Sequence, residues 1–503
     1  MTSHKVIAVF ALLAVMISVP LAFSNSADAT TRTTRTSYID LVDTVNNSIE
    51  PILTTNDAVG SYVMGKIPDG LGAIKAKGYS EDNDEDEEDD NHDKKGKAKL
   101  HVYMSHETNN GANHFGKFAQ VSKVSLDKFG NVVDAKYIID GTEGYERFCS
   151  ASIAEGNGFK DPIFFANEEV NNGIVVAINT NGDTKHDLPW LGKFAHENTI
   201  HVPMFWDSMK KIVLLSFEDG EATESEVYMY VANSQADLLA GNGQLYVFGG
   251  PTTGMDWDDI HYTTGAVSGK FLPVTWNHST QNEVDLDNAA IAAGGMQFIR
   301  PEDGAVDKRP THKNVVYWAD TGNDKDESGA LIPSSAFNGQ EWKHGRMYKL
   351  TFTDKNDFTK ANLEIILDGN DPTAPGYNVM INPDNIDTSK NSLMIQEDRI
   401  GPTRVSTTNT AFAPFDVTKN AKILKYDLAT GTLSSVAYMN QLYNTGVSQG
   451  DWESSGIIDA SDFYGKGAWL LDVQAHSLEK PIVLGTGVNG PDGQLLLMKI
   501  KGS

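Results

Sequence analysis

Residues 226–232 read EVYMYVA, 243–250 GQLYVFGG, 345–352 GRMYKLTF and 421–431 AKILKYDLATG. Each is a short apolar and aromatic run of strand length, and the four resemble one another. Outward from them, from about residue 60 onward, the chain continues as short apolar or alternating runs separated by Gly, Asn, Asp and Pro, and helical periodicity of useful length is scarce. One pattern repeated over more than 400 residues of a 503-residue chain fits an all-β β-propeller better than a sandwich. Radial repetition of four-stranded blades accommodates such a length in one domain. Six blades are expected, over residues 56–503.

Acidic residues recur beside these runs. LHVYMSHE carries Glu107, PIFFANEE carries Glu168 and Glu169, IVLLSFED carries Glu218 and Asp219, GGMQFIRPED carries Glu302 and Asp303, and NSLMIQED carries Glu397 and Asp398; KFAHEN adds Glu197. A single such pair marks a polar turn at a strand end. Five at similar positions suggest carboxylates converging on a propeller axis, where they cannot all stay ionised without cations. Hard oxygen ligands of this kind suit calcium. Cys149, the only cysteine, excludes an intrachain disulfide. It reads either as a buried structural thiol or as a thiolate ligand that favours iron or zinc. Arg300 stands two residues before Glu302, so along a strand the two share a face. Arginine there is either a clamp for a phosphate oxyanion or the partner of a structural salt bridge.

Composition narrows the partners. Lys and Arg total 41 against 68 Asp and Glu, a net charge of −27, which argues against nucleic acid and anionic membranes. No Walker loop, HExxH or GxSxG motif occurs, which removes the commonest NTPase, zincin and α/β-hydrolase readings. Residues 1–29 read as a secretory signal peptide: His4-Lys5 precedes the apolar run Ile7 to Phe23, and Ala27-Asp28-Ala29 offers a small-x-small cleavage site. An uncleaved anchor is the competing reading. No later run reaches the roughly 20 apolar residues of a spanning helix, so no membrane insertion is expected after cleavage. Residues 30–55 are polar and read as a tether or edge element, with a sequon at Asn46-Asn47-Ser48. Residues 80–97, SEDNDEDEEDDNHDKKGK, read as a disordered acidic insertion in an expanded hairpin.

In order along the chain, PDGLGA (68–73), MSHE (104–107), CSAS (149–152), FANEE (165–169), AHEN (195–198), SFEDGEATESEVYMYV (216–231), GNGQLYVF (241–248), FIRPEDG (298–304), NPDNIDTSKNSLMIQED (382–398) and DWESSGIIDASDFYGKGAWLLDVQ (451–474) resemble the PhoX-type alkaline phosphatases and their uncharacterised relatives. The resemblance spans roughly residues 60–500. It implies an axial site that holds iron and calcium and hydrolyses phosphate monoesters. Position by position, it implies Cys149 as the iron thiolate and Glu168, Glu218 and Glu302 as carboxylate ligands, with Asp219 in the same acidic motif. Asp384, Asn385, Glu397, Asp398 and Glu453 are implied for the calcium side or its surroundings, and Arg300 for holding the substrate phosphate. The cations would neutralise phosphoryl oxygens and activate an oxygen nucleophile, leaving positioning and charge stabilisation to the protein.

The chain departs from the family pattern at three places. No Arg-Arg precedes the apolar N-terminal run, SFEDGE stands where Thr-Glu-Asp-Arg is usual, and AHEN replaces His-Glu-Ala. The expectation is a secreted or cell-surface monomeric phosphatase acting on small phosphorylated substrates. Its rival is a calcium-bound surface propeller that binds a partner and catalyses nothing; a propeller lactonase or esterase would have the acidic ring but no need of Cys149 or Arg300.

Overall fold

The computed structural model describes residues 32–79, 97–109, 118–220, 225–322, 344–377, 379–399, 421–440, 452–476 and 492–503. The signal-peptide reading, and the acidic insertion apart from Lys97, lie outside them.

Strands follow one another as antiparallel neighbours, innermost first. Blade one is Pro68–Lys75, Leu100–His106, Gln120–Leu126 and Val132–Ile139. Blade two is Phe148–Ala154, Ile163–Glu168, Val175–Asn179 and Thr184–Leu188. Blade three is His196–His201, Ile212–Glu218, Val227–Ala232 and Gln244–Gly249. Blade four is Pro301–Val306, Val315–Asp320, Arg346–Phe352 and Lys360–Asp368. Blade five is Pro383–Thr388, Ser392–Glu397, Lys422–Asp427 and Leu433–Met439, with Ile39–Leu41 on its outer edge. Blade six is Trp452–Asp459, Ala468–Ala475 and Asp492–Lys499, and Ser48–Thr54 supplies its outer strand. Residues from both ends of the chain therefore share blade six, which closes the ring. The polar segment 30–55 contributes two outer strands to the sheets.

The six inner strands pack side by side around the axis, the last against the first. Hydrogen bonding divides them differently from six separate blades. Val267–Pro273 pairs with Gln244–Gly249 on one side and with Lys360–Asp368 on the other, so blades three and four form one nine-stranded sheet. Among the described residues, five sheets rather than six surround the axis, because the crossover between those blades lies down as a strand between their outer edges.

Second strands are apolar on both faces because each lies between neighbouring blades. IVLLSFE and AWLLDVQA are buried at every position. Such strands read as continuous apolar runs rather than alternating ones. Six apolar clusters result, one in each gap between adjacent blades.

Inner strands depart from regular pairing where they begin. In blades one to five the first inner residue pairs with the last residue of the second strand. The next pairing lies three residues on in the inner strand but two back in its partner, as in Pro68↔His106 then Leu71↔Met104 and Pro301↔Asp320 then Gly304↔Trp318. That is a β-bulge repeated in each blade, and a bulge turns its extra side chain away from the regular pleat. Blade six is bulged a few residues later, between Ser455 and Ile457. Near the axis the backbones approach closely. A Cβ on Gly70 would lie 2.1 Å from the Ala151 nitrogen, and one on Gly456 would lie 2.2 Å from the Asp69 carbonyl oxygen. Gly70→Ala is expected to lower stability by about 1–3 kcal/mol, the usual effect of overpacking, measured as the midpoint of denaturant unfolding followed by tryptophan fluorescence.

Candidate metal centre

The second residue of every inner strand is Asp69, Cys149, Glu197, Glu302, Asp384 or Glu453. One metal-ligating side chain thus enters from each blade, five of them lifted toward the axis by the bulge. A second set comes from residues just past the second strands: Glu107, Glu169, Asp219 and Asp398. Potential ligand atoms lie within 4.8 Å of one another in four overlapping groups: Asp69 with Glu107 and Cys149; Cys149 with Glu169 and Glu197; Glu197 with Glu302 and Asp384; Asp384 with Asp398 and Glu453. The groups share members and form one continuous arc.

Charge dominates this arc. Two like charges about 4 Å apart repel by about 4 kcal/mol at the effective dielectric of a protein site. Burial first, and the neighbouring acids second, push the carboxyls of Glu197, Glu302, Asp384 and Glu453 well above their usual range. Asp69 is raised to about 7, by burial and then by Glu107. Burial also raises Glu107, but Arg147, His476 and Arg399 together hold it below its ordinary value. The Cys149 thiol donates to Asp69 Oδ2 at 3.1 Å and is pushed up by burial and by four acids around it. A thiolate at this position needs a cation beside it. Glu197 is wholly buried, and its Oε2 has no hydrogen-bond partner. A fully desolvated carboxylate oxygen with nothing to accept from, set among other hard donors and one thiol, belongs to a group of side chains that could hold metal ions.

Among the described residues, three arginines line this arc. Arg147 bonds Glu107 through Nε at 3.0 Å and a terminal nitrogen at 2.6 Å, and that nitrogen also lies 2.7 Å from Glu169. Arg300 holds Asp219 with Nε at 2.7 Å and Nη2 at 2.9 Å, and Nη2 reaches Glu302 at 2.8 Å. Among the described residues its remaining Nη1 makes no hydrogen bond, and it lies 3.9 Å from Asp398. The exposed Arg399 donates its backbone N–H to Glu453 at 3.0 Å and sets its side chain 3.4 Å from the same carboxylate. His476 Nε2 meets Glu453 at 2.7 Å, and the Gln474 amide bridges Asp69 at 2.9 Å and Glu107 at 3.1 Å.

Placement of the sequence candidates divides them. Cys149, Asp219, Glu302, Asp384, Asp398 and Glu453 meet at the axis with Arg300. Asn385 stands behind them, donating to Asp69 at 3.4 Å and accepting from Ser455 at 3.2 Å. Glu168, Glu218 and Glu397 do not join the arc. Glu168 accepts from the backbone N–H of Glu146 at 2.9 Å and of Ile174 at 3.2 Å. Glu397 accepts from those of Ile381 at 2.9 Å and Lys422 at 3.0 Å, and Glu218 from that of Glu226 at 2.9 Å. The first acid of these pairs is a staple that ties neighbouring loops to the strand end, and the second faces the axis, because successive side chains of an extended chain point to opposite sides. Glu302-Asp303 also differs from the strand-end reading: the pair opens an inner strand instead of closing a second one.

Asp69, Arg147, Arg399, Gln474 and His476 were not among the sequence candidates, and Glu107, Glu169 and Glu197 were noticed without being selected. One local signal points to part of the ring. Pro68-Asp69, Pro301-Glu302 and Pro383-Asp384 place proline at the first residue of an inner strand and the axial acid next to it. Proline is tolerated there because a strand's first residue need not donate to the ladder.

Staple and axial roles predict different losses. Glu168→Gln is expected to reduce stability by about 1–3 kcal/mol through its weakened hydrogen bonds without changing bound metal. Glu169→Gln is expected to lower metal content with little effect on unfolding, both read by elemental analysis beside thermal melts.

Comparison with known proteins gives the same architecture. Residues 95–457 match the family model described as alkaline phosphatase PhoX. The structure of Pseudomonas fluorescens PhoX in complex with vanadate, a transition state analogue, superposes with a TM-score of 0.61 at 14% identity, covering 93% of this chain and 97% of that one. A putative 6-phosphogluconolactonase from Bacteroides uniformis (TM-score 0.30, 9% identity, 78% and 98% covered) and the haemagglutinin-neuraminidase ectodomain of parainfluenza virus 5 (0.33, 10%, 90% and 86%) are more distant. No curated protein matches the sequence. With the family model covering well over half its length, the chain belongs to the alkaline phosphatase PhoX family.

Proposed function

We propose that this protein is an extracytoplasmic metal-dependent phosphatase that releases phosphate from small organic monoesters and acts as a monomer. The observation that carries this reading is the meeting of one thiol, a ring of buried carboxylates and three arginines on a single propeller axis. A ring made only to hold the blades together has no use for Cys149 among the acids, or for an arginine whose Nη1 meets only the distant carboxylate of Asp398. The residues present fit both hard and softer cations: Cys149, Asp69, Glu169 and Glu197 would hold iron, and Glu302, Asp384, Asp398 and Glu453 would hold calcium. Bound there, the cations supply positive charge for the phosphoryl oxygens and Lewis acidity toward the attacking oxygen.

The chain's own residues do the rest. Asp219 grips two nitrogens of Arg300 and fixes the guanidinium plane, which aims Nη1 toward the axis. In this reading Nη1 binds a phosphate oxygen by a charge-assisted bond. Arg147 and Arg399 each lie against two carboxylates of the arc and would meet the other oxygens. These groups are held before substrate arrives, so orienting the phosphate needs little reorganisation. The extracytoplasmic assignment rests on the N-terminal sequence. Among the described residues, no helix is long and apolar enough to cross a membrane.

Arg300→Ala is expected to weaken competitive inhibition by inorganic phosphate by about 10–100-fold, the equivalent of one or two charged hydrogen bonds, while metal content stays the same. Cys149→Ser is expected to lower iron content and p-nitrophenyl phosphate hydrolysis together. Purified protein that carries calcium without iron and hydrolyses no phosphate ester would replace this proposal with the non-catalytic calcium propeller.

A further inference from the structure

Behind blade three, three more carboxylates meet away from the axial arc. Oxygens of Glu218, Glu226 and Asp287 lie within 4.8 Å of one another, and Glu218 and Glu226 are buried. Their positions follow from strand register. Phe217 pairs with Val227, which sets Glu218 and Glu226 opposite each other at the end of two neighbouring strands, on one face. Asp219, on the other side of the chain, serves the axis. Asp287 comes from elsewhere, the helix Glu283–Ala293 in the connection between blades three and four. Leu286 and Ala290 of that helix enter the apolar cluster between blades two and three. Its first turn is tied to blade two, with Asn172 and Glu283 exchanging backbone-to-side-chain hydrogen bonds at 2.8 and 2.9 Å.

A second observation points to a ligand. Tyr228 lies two residues after Glu226 and so on the same strand face, is wholly buried, and its hydroxyl has no hydrogen-bond partner. The charged groups that act on it most strongly are Glu226, Glu218, Asp287 and Glu283, all acids. A phenol beside three carboxylates would ordinarily donate to one of them. Among the described residues it makes no hydrogen bond, and its buried side chain extends from the strand face that carries Glu226. The strongest charged influences on Glu218 are likewise Glu226 and Asp287, not a lysine or arginine.

From this geometry we infer a second, off-axis site for a hard divalent cation such as calcium, held by Glu218, Glu226 and Asp287 on the strand face that also carries the unpartnered Tyr228. All donors are oxygen, the set suited to calcium rather than to a thiophilic metal. The ion joins the interblade helix to the end of two strands in blade three, and through Asn172 it couples them to blade two. Its role is structural, and it does not depend on the phosphatase reading.

The test compares the full-length protein with its Asp287→Asn variant after calcium loading and gel filtration. Calcium content is expected to fall by about one ion per chain, and the calcium-dependent rise in melting temperature is expected to shrink, with p-nitrophenyl phosphate hydrolysis unchanged. An unchanged calcium content in the folded variant overturns the site, as does a variant that is simply more stable without calcium. If the variant does not fold, terbium luminescence sensitised by tyrosine decides. Tyr228→Phe is expected to remove a distinct part of that emission, and emission equal to the wild type's would refute the inference.

Discussion

Repulsion among buried carboxylates on the propeller axis is the constraint to which the rest of this structure answers. Six blades each deliver a metal-ligating side chain to the same place, and the ends of the second strands deliver more. Left to themselves, these groups would have to bind protons or drive the inner strands apart. Three arginines offset part of the charge, and each touches two of the acids. The remaining excess favours cations at the axis, and the wholly buried Oε2 of Glu197, unpartnered among the described residues, is the clearest local sign of it.

The backbone devices that hold this arrangement are simple and repeated. A bulge at the start of each inner strand in blades one to five sends its second residue, an acid or in blade two Cys149, to the axis. Glycines such as Gly70 and Gly456 let adjacent inner strands approach where any side chain would strike backbone. Glu168 and Glu397, and Asp320 through its bonds to the N–H groups of Ile299, Arg300 and Gly322, fix the loops that lead into the inner strands. Carboxylates therefore serve two purposes in adjacent positions: one organises backbone, the next carries charge to the axis. The off-axis trio at Glu218 extends that logic, with a strand-end acid brought into a different group of oxygens by the helix of the connection between blades three and four.

Arg300 illustrates how the two readings of one residue join. Its salt bridges to Asp219 and Glu302 make it structural, and those same contacts orient the edge that has no hydrogen bond. Anchoring and binding need not compete when a planar guanidinium presents several donors in fixed directions. Cys149 is similar: its neighbours would keep the thiol protonated in the absence of a cation, so its reactivity depends on what the surrounding carboxylates hold.

By itself, the sequence determined the all-β repeat, the acidic excess and the types of residue at the site. Short strands buried on both faces must be continuous apolar runs such as IVLLSFE, and a repeat of them over this length has few ways to close. Cys149, Arg300 and Glu302 stood out because their chemistry is unusual where they occur. Only the tertiary structure decided which acid of each pair reaches the axis, since neighbouring residues on an extended strand differ by half a turn, and a one-residue bulge reverses their directions without leaving a mark in composition. It also decided that Asp69, Arg147, Arg399 and His476 stand beside the arc and that Glu218 sits with Asp287, because the contacts that bring them there include pairs from 23 to 405 positions apart in the chain. Such proximity depends on how the blades close into a ring, and no local pattern encodes it.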